Sequence, residues 1–182
     1  MGTERCIVST MKTIYHGDSR IQYRTAFSGI WYFYKKDGIT VINIHLEDLS
    51  GHLAEITQDQ WKILFAMIPE IENTTYFGEI TFKDGIIYPA TWPEIVNRFH
   101  KYVYEIGIVV DFDWPNWDEG KQILSEEITD LSEYSAVTIC KLLTCIVRSD
   151  RFVEGNLIAY FEDGTILTIL RALKKHYGNS LH

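Results

Sequence analysis

The change of hydrophobic period along this chain is the feature that most constrains its fold. Residues 28–45 contain two β-branched and aromatic runs separated by a Lys-Asp-Gly sequence at 36–38, which predicts a β-hairpin. From residue 130 onward, apolar residues recur every three or four positions, which is typical of amphipathic helices. Strands followed by helices predict an α+β fold, with N-terminal antiparallel hairpins packed against a mainly helical C-terminal half.

Further strand and helix signals lie between these two regions. A second Lys-Asp-Gly sequence predicts another hairpin over residues 78–88, and residues 52–56 are expected to add a strand. Thr57, with Gln60 at the spacing of a capping box, predicts a helix that ends at Pro69. Later caps and apolar stripes predict five more helices: from Thr91 to a stop at Gly107, 116–128, 130–148 opened by Asp130, 152–162 with Gly155 inside it, and 165–177.

The acidic charge of the chain is confined to one band. The formal net charge is −8, and residues 105–133 alone hold nine acidic side chains against Lys121. This acidic band is interpreted as a solvated helix face with acidic N-caps, or as a surface for a basic partner or a cation. Because nucleic-acid affinity comes from clustered Lys and Arg, we do not expect nucleic acid as the partner.

Composition also argues against several classes of protein. No run of about 18 apolar residues and no charged-then-apolar leader occurs, so we expect neither a membrane span nor a secretory signal, and a cytoplasmic location. Three cysteines are too few for a disulfide scaffold, and neither they nor the six histidines have the spacing of a zinc site. We therefore expect no metal and no cofactor.

One candidate for chemistry is a pair of carboxylates. Asp111 and Asp113 flank Phe112 on a predicted extended segment, so their side chains share one face. Such a pair could hold a hard cation or serve as acid and base, with Glu119 as a third member. Alternatively, both are solvated and Asp113 caps the following turn.

A second candidate is the junction between two predicted helices. Arg148, Arg151 and Glu154 follow one another at three-residue spacing, which suits a charge network tying the helices together. The same spacing would let two guanidinium groups grip a phosphate or carboxylate. Trp114 and Trp117 could line a stacking pocket or lie in the core. With Asp113, these are the candidate ligand-binding residues.

Two segments resemble a family of bacterial, archaeal and phage proteins known only as a domain of unknown function. One is FDWPNW at residues 112–117, similar to an FDWxxW segment of that family; the other is RFVEGNL at 151–157 followed by FEDGTI at 161–166. The resemblance covers about residues 60–176. It implies an N-terminal arm and aromatic hairpin extension at residues 1–59 and an α+β domain at 60–182. It implies no known activity, and a Cys common in the family is Val153 here, which excludes thiol chemistry at that position.

A well-formed core without a convergent nucleophile, base or ligand set favours a non-catalytic binding or protein-interaction module in a bacterial or phage setting. Two alternatives remain. One is a protein that binds a small anionic, nucleotide-like ligand through Arg148, Arg151 and the tryptophans. The other is a metal-dependent hydrolase centred on Asp111 and Asp113. The sequence leaves the partner, protein or small molecule, and the oligomeric state open.

Overall fold

The chain is mainly helical, with most of its strands at the N-terminal end. This computed structural model describes the backbone of residues 10–16, 19–25, 31–34, 40–83, 86–126 and 128–178, and the side chains of 46–81, 91–126 and 128–178. The predicted α+β class therefore holds in a loose sense, because helices dominate everything after residue 45.

The described residues form eight α-helices and two short 3₁₀ turns, Leu46–Asp48 and Trp114–Asn116. The helices are α1 Leu49–Glu55, α2 Gln58–Phe65, α3 Met67–Glu72, α4 Glu94–Glu105, α5 Asp118–Ser125, α6 Ala136–Ser149, α7 Asn156–Glu162 and α8 Thr165–Tyr177. The last of them has the bounds predicted from its apolar stripe and flanking glycine. Within the described ranges, every helix is too short or too polar to cross a lipid bilayer.

The strands form two groups. Their bounds are β1 Thr10–His16, β2 Ser19–Thr25, β3 Trp31–Tyr34, β4 Thr40–His45, β5 Glu79–Lys83, β6 Ile86–Thr91 and β7 Val110–Asp111. Strands β1 to β4 pair successively as antiparallel neighbours, and β7 adds to β4 in parallel, with Ile44 opposite Val110. Strands β5 and β6 pair with each other. The predicted turns at 36–38 and 84–85 lie outside the described residues, so the hairpins stay predictions at their turns.

Helix α2 begins where its capping residues predict. The Thr57 Oγ1 accepts a hydrogen bond from the Gln60 N–H at 3.3 Å, and the Gln60 Oε1 accepts one from the Thr57 N–H at 2.9 Å. The predicted end at Pro69 is wrong, because α2 ends at Phe65 and α3 starts at Met67. Pro69 lies in the first turn of α3, where an N–H has no partner within the helix and its loss costs nothing.

The strand predicted at residues 52–56 is also wrong. Leu49 and Leu53 are both buried on one face of α1, and a separation of four is the helical period. The segment is too short for a sequence pattern to separate a strand from a helix, and packing against the core decides between them.

Four helices start later than predicted, among them α5 at Asp118 rather than 116 and α7 at Asn156 rather than 152. Helix α4 begins at Glu94, because Thr91 belongs to β6 and its side chain accepts no capping hydrogen bond from the helix. Helix α6 begins at Ala136, where the Ser135 Oγ accepts a hydrogen bond from the Thr138 N–H at 3.1 Å. Asp130, the predicted start, instead accepts the N–H of Ser132 at 2.9 Å in a local turn.

Helix α6 is the centre of the apolar core. It packs against α7, α8 and β7, and residues 142–147 are all buried. Thr144 is a polar member of this run: its hydroxyl donates to the Cys140 carbonyl at 2.8 Å and accepts the Val110 N–H at 3.0 Å. Because Val110 pairs with β4, this hydroxyl fixes the helical core to the strand layer.

Candidate functional site

The turn between α6 and α7, residues 150–155, projects from the core yet has a fixed backbone. The Ser149 carbonyl accepts the N–H groups of Phe152 at 2.9 Å and Val153 at 3.0 Å. The Asp150 Oδ1 accepts the Leu157 N–H at 2.8 Å, which supplies a partner to the first turn of α7. These bonds hold the turn in one conformation before anything binds to it.

Gly155 explains how the turn reverses into α7. The sequence predicts it inside a helix, but it precedes α7 with φ +81°, a left-handed conformation that glycine adopts without strain. A Cβ at this position would lie 2.1 Å from the Cδ1 of Ile80. Gly155 therefore provides both the reversal of the chain and the space in which strand β5 approaches the turn.

The outer side of the turn is apolar and exposed. Phe152 is 77% exposed, Val153 is 59% exposed, and Ile80, which lies against Gly155, is 47% exposed. The Trp114 ring lies 6.0 Å from that of Phe152, centroid to centroid. We call Ile80, Trp114, Phe152 and Val153, together with Arg151, the turn surface. Of its members, only Trp114 and Arg151 are predicted from the sequence.

The two arginines of the predicted charge network have different environments. The Arg148 Nη1 lies 3.3 Å from the Asp111 Oδ1, so this half-buried pair connects α6 to β7 rather than to α7. Arg151 is exposed, and its Nη2 donates to the Tyr104 hydroxyl at 3.4 Å. Glu154 is exposed on the same turn. Arg148 thus has a structural partner, whereas Arg151 lies at the edge of the turn surface.

A row of rings along α4 lies next to Arg151. The His100 ring contacts Trp92 at 5.0 Å and Tyr104 at 5.2 Å between centroids. Burial and the neighbouring Arg151 guanidinium lower the pKa of His100 from 6.5 to about 4, so the imidazole is neutral at neutral pH. The row is not among the sites predicted from the sequence, although His100 and Tyr104 at a separation of four indicate one helix face.

The two candidate tryptophans point to different neighbours. Trp114 contacts Phe152, but the Trp117 ring packs against Phe112 at 5.7 Å and carries the Lys141 Nζ 3.8 Å above its centre. The Trp117 ring therefore packs against α6, where the Lys141 ammonium group covers one of its faces in a cation–π contact. The stacking pocket predicted from both tryptophans would have to use Trp114.

The three acids of the predicted hydrolase centre have separate partners. Asp111 pairs with Arg148; the Asp113 carboxylate accepts the Asn116 side-chain amide at 2.9 and 3.1 Å; and Glu119 accepts the Trp117 Nε1–H at 3.2 Å. Within the described ranges, no three His, Cys, Asp or Glu side chains are grouped so that they could hold a metal ion.

The buried thiols have environments that favour the protonated form. Burial raises the pKa of Cys140 to about 12 and that of Cys145 to about 11. Both are therefore protonated at neutral pH, and a protonated thiol is a weak nucleophile. They contribute to the core of α6 as small apolar side chains.

Two surface grooves within the described residues are lined by none of the candidate ligand-binding residues. One, of about 380 Å³, lies between α2, α3 and α4. The other, of about 330 Å³, lies beside the start of α8. Of the candidate residues, Arg151 and Glu154 are instead exposed on the turn, Trp114 contacts Phe152, and Arg148 is paired with Asp111.

A family model matches most of the chain. It is described as a family of unknown function, DUF6508, and it covers residues 56–179 of 182. The match contains both segments on which the sequence resemblance depends, and it confirms that resemblance. The comparisons with curated proteins and with solved structures gave no match.

Proposed function

The chain belongs to DUF6508, a family of unknown function, and we propose that it is a non-catalytic protein-interaction module that binds a partner through its turn surface. The observation that carries this proposal is the exposure of Phe152 and Val153 side by side on one turn. Large apolar side chains that are exposed together on a folded surface are typical of association sites.

The composition of the turn surface supports the same conclusion. Aromatic residues and arginine dominate the binding energy of protein interfaces, and the turn surface combines Phe152, Trp114 and Arg151. Backbone N–H groups donate hydrogen bonds to the Ser149 carbonyl and the Asp150 carboxylate, which fixes the backbone of the turn. A surface that is already ordered loses less conformational entropy when it binds, which favours affinity.

Site-specific photo-crosslinking tests this proposal. A benzoylphenylalanine in place of Phe152, in cells that naturally produce the protein, should crosslink to a defined protein. Ile63 on α2 is 52% exposed and provides the matched control position, from which that product should be absent. The purified partner should then bind wild-type protein, and Phe152→Ala should weaken it by about tenfold or more. Identical crosslinks from both positions, or unchanged affinity of Phe152→Ala, would contradict the proposal.

A second candidate is the binding of a small anionic, nucleotide-like ligand. Arg151 favours it, because this exposed residue directly precedes Phe152, and the neighbouring rings of Phe152 and Trp114 could stack on a base. Thermal unfolding with ATP, GTP and inorganic phosphate tests it, since a ligand at 100 times its Kd stabilises a protein by about 2.7 kcal/mol. No shift, or a shift that Arg151→Gln leaves unchanged, removes this candidate.

The metal-dependent hydrolase remains the least supported candidate. Its three acids, Asp111, Asp113 and Glu119, bind different neighbours. Elemental analysis of the purified protein, followed by a phosphoesterase assay of Asp113→Asn, tests it.

A further inference from the structure

Arg151 differs from the other arginines whose side chains the structure describes. Arg98 pairs with Glu70, Arg148 with Asp111, and Arg171 with Glu72 at 2.7 Å. Arg151 has no carboxylate within 4.0 Å in the described part of the chain, and its Nη2 donates to the Tyr104 hydroxyl at 3.4 Å. Among the four arginines with described side chains, Arg151 alone lacks a carboxylate partner.

The side chains next to Arg151 include a hydroxyl and a neutral imidazole. Tyr104 presents its hydroxyl, and the adjacent His100 is neutral because of its burial and its proximity to Arg151. Farther along the same row, the Trp92 Nε1–H is buried and donates to no acceptor within the described residues. Within the described residues, therefore, no carboxylate forms an ion pair with Arg151, although the acidic band carries negative charge in excess.

Two apolar members of the turn surface directly follow this cation in the sequence. Phe152 directly follows Arg151, Val153 follows Phe152, and Ile80 lies against Gly155 on the far side of the turn. A peptide with one side chain on Phe152 could therefore place the side chain of a residue one or two positions away on the Arg151 guanidinium. Successive residues of an extended peptide are about 3.3 Å apart.

We infer that the partner of the turn surface is a protein segment that places an apolar side chain on Phe152 and Val153 and an adjacent Asp or Glu carboxylate on Arg151. This inference depends on the proposed function, and it specifies the chemistry of the partner. The planar guanidinium matches a carboxylate through two parallel hydrogen bonds. Glu154 and Asp150 on the same turn favour a singly charged carboxylate over a doubly charged phosphate, since like charges repel.

Selection from a random peptide library displayed on phage, with the full chain as bait, provides the first test. Peptides enriched on wild-type protein should contain Asp or Glu within two positions of Leu, Ile, Phe or Trp more often than the starting library does. They should not be enriched on Phe152→Ala. Ile63→Ala, which removes an exposed apolar side chain from α2, should enrich the same peptides as the wild type.

Fluorescence anisotropy with one enriched peptide then isolates the ion pair. Arg151→Gln should weaken binding by about tenfold or more, and so should replacing the acidic residue of the peptide by its amide. The two changes together should cost little more than either alone, because both remove the same contact. Arg171→Gln, which breaks a pair with Glu72 elsewhere on the surface, should leave the affinity unchanged.

The outcomes distinguish this inference from the proposed function. Peptides that depend on Phe152 but not on Arg151, or that lack an acidic residue, overturn the inference and leave the interaction module intact. If the selection yields no peptide whose binding depends on Phe152, the inference is overturned. If, in addition, crosslinking from position 152 gives the same products as the Ile63 control, the proposed function is overturned as well. Circular dichroism of each variant verifies that the fold is retained.

Discussion

Helix α6 and the turn that follows it contain similar apolar residues in opposite environments. Residues 142–147 are all buried, whereas residues 151–154 are all exposed. Two phenylalanines show the contrast: Phe161 on α7 is 2% exposed and Phe152 is 77% exposed. Apolar character alone therefore does not place a side chain in the core. The packing of α7 and α8 covers α6, whereas the turn lies outside these layers.

Replacing each of the two phenylalanines by alanine should give the largest difference in lost stability between the buried helices and the turn. Phe161 packs against Phe77 and Phe99 at 5.2 Å each, so Phe161→Ala should lower the free energy of unfolding by about 3–5 kcal/mol. Phe152→Ala should change it by less than about 0.5 kcal/mol, because the ring is already in water. Urea denaturation measures both. Equal losses would show that the turn is part of the core.

The pH dependence of stability tests the histidine beside the turn. Burial and Arg151 lower the pKa of His100 to about 4 in the folded state, whereas the unfolded chain titrates near 6.5. Between these pH values the unfolded state binds a proton at His100 that the folded state does not bind. The contribution of His100 to the free energy of unfolding is therefore fully present above pH 6.5 and is lost as the pH falls to about 4. The decrease due to His100 should be at most about 3 kcal/mol.

His100→Gln isolates this effect from the titration of carboxylates. Urea denaturation across the same pH interval should give a shallower decrease for the variant than for the wild type. Arg151→Gln should give an intermediate slope, because it removes the smaller of the two causes that lower the pKa. Parallel slopes for all three proteins would contradict the assigned environment of His100.

The Thr144 hydroxyl tests how the buried helix positions the strand layer. Thr144→Val keeps the shape of the side chain but leaves the Val110 N–H without its acceptor, so it should cost about 1–3 kcal/mol. Thr144→Ser keeps the hydroxyl and should cost less, because it removes only one methyl group. Hydrogen exchange of the Val110 amide should become faster in the valine variant alone. A serine variant less stable than the valine variant would refute this role.

Two glycines provide the smallest and most closely matched comparison. Gly155 and Gly164 precede α7 and α8 with φ of +81° and +82°, but only Gly155 has a neighbour, Ile80, where a Cβ would lie. Gly164→Ala should cost about 1 kcal/mol through backbone strain, and Gly155→Ala about 2 kcal/mol through strain and contact. Adding Ile80→Ala to Gly155→Ala should reduce the difference in lost stability between the two glycine variants. Equal losses for Gly155→Ala and Gly164→Ala would show that the Ile80 side chain moves aside freely.

Elements that depend on neighbouring residues were predictable from the sequence. The capping box of Thr57 and Gln60 and the bounds of α8 follow from hydrogen bonds and apolar spacing within one turn of helix. The segment at residues 52–56 was predicted incorrectly, because its assignment depends on Leu49 and Leu53 contacting the core. The sequence pattern therefore predicted these helix boundaries correctly, because interactions within a turn of helix determine them.

The candidate site was predictable in part for the same reason. The spacing of Arg148 and Arg151 marked the junction, but the contact of Arg148 with Asp111, 37 residues away, could not be read from spacing. Phe152 and Val153 are assigned to the helix predicted at residues 152–162, and Ile80 to the predicted hairpin, where apolar residues normally face the core. The one available signal was Gly155, since glycine adopts the positive φ that a chain reversal before a helix requires.

By itself, the sequence determined the mainly helical C-terminal half, the capping box of α2, the bounds of α8 and the family to which the chain belongs, because these depend on residue order over short distances. Only the tertiary structure decided which apolar side chains are covered. It paired Arg148 with Asp111, left Arg151 beside neutral groups, and exposed Phe152 and Val153. The physical reason is that burial and charge pairing depend on which elements meet in space, and those elements are far apart in the chain.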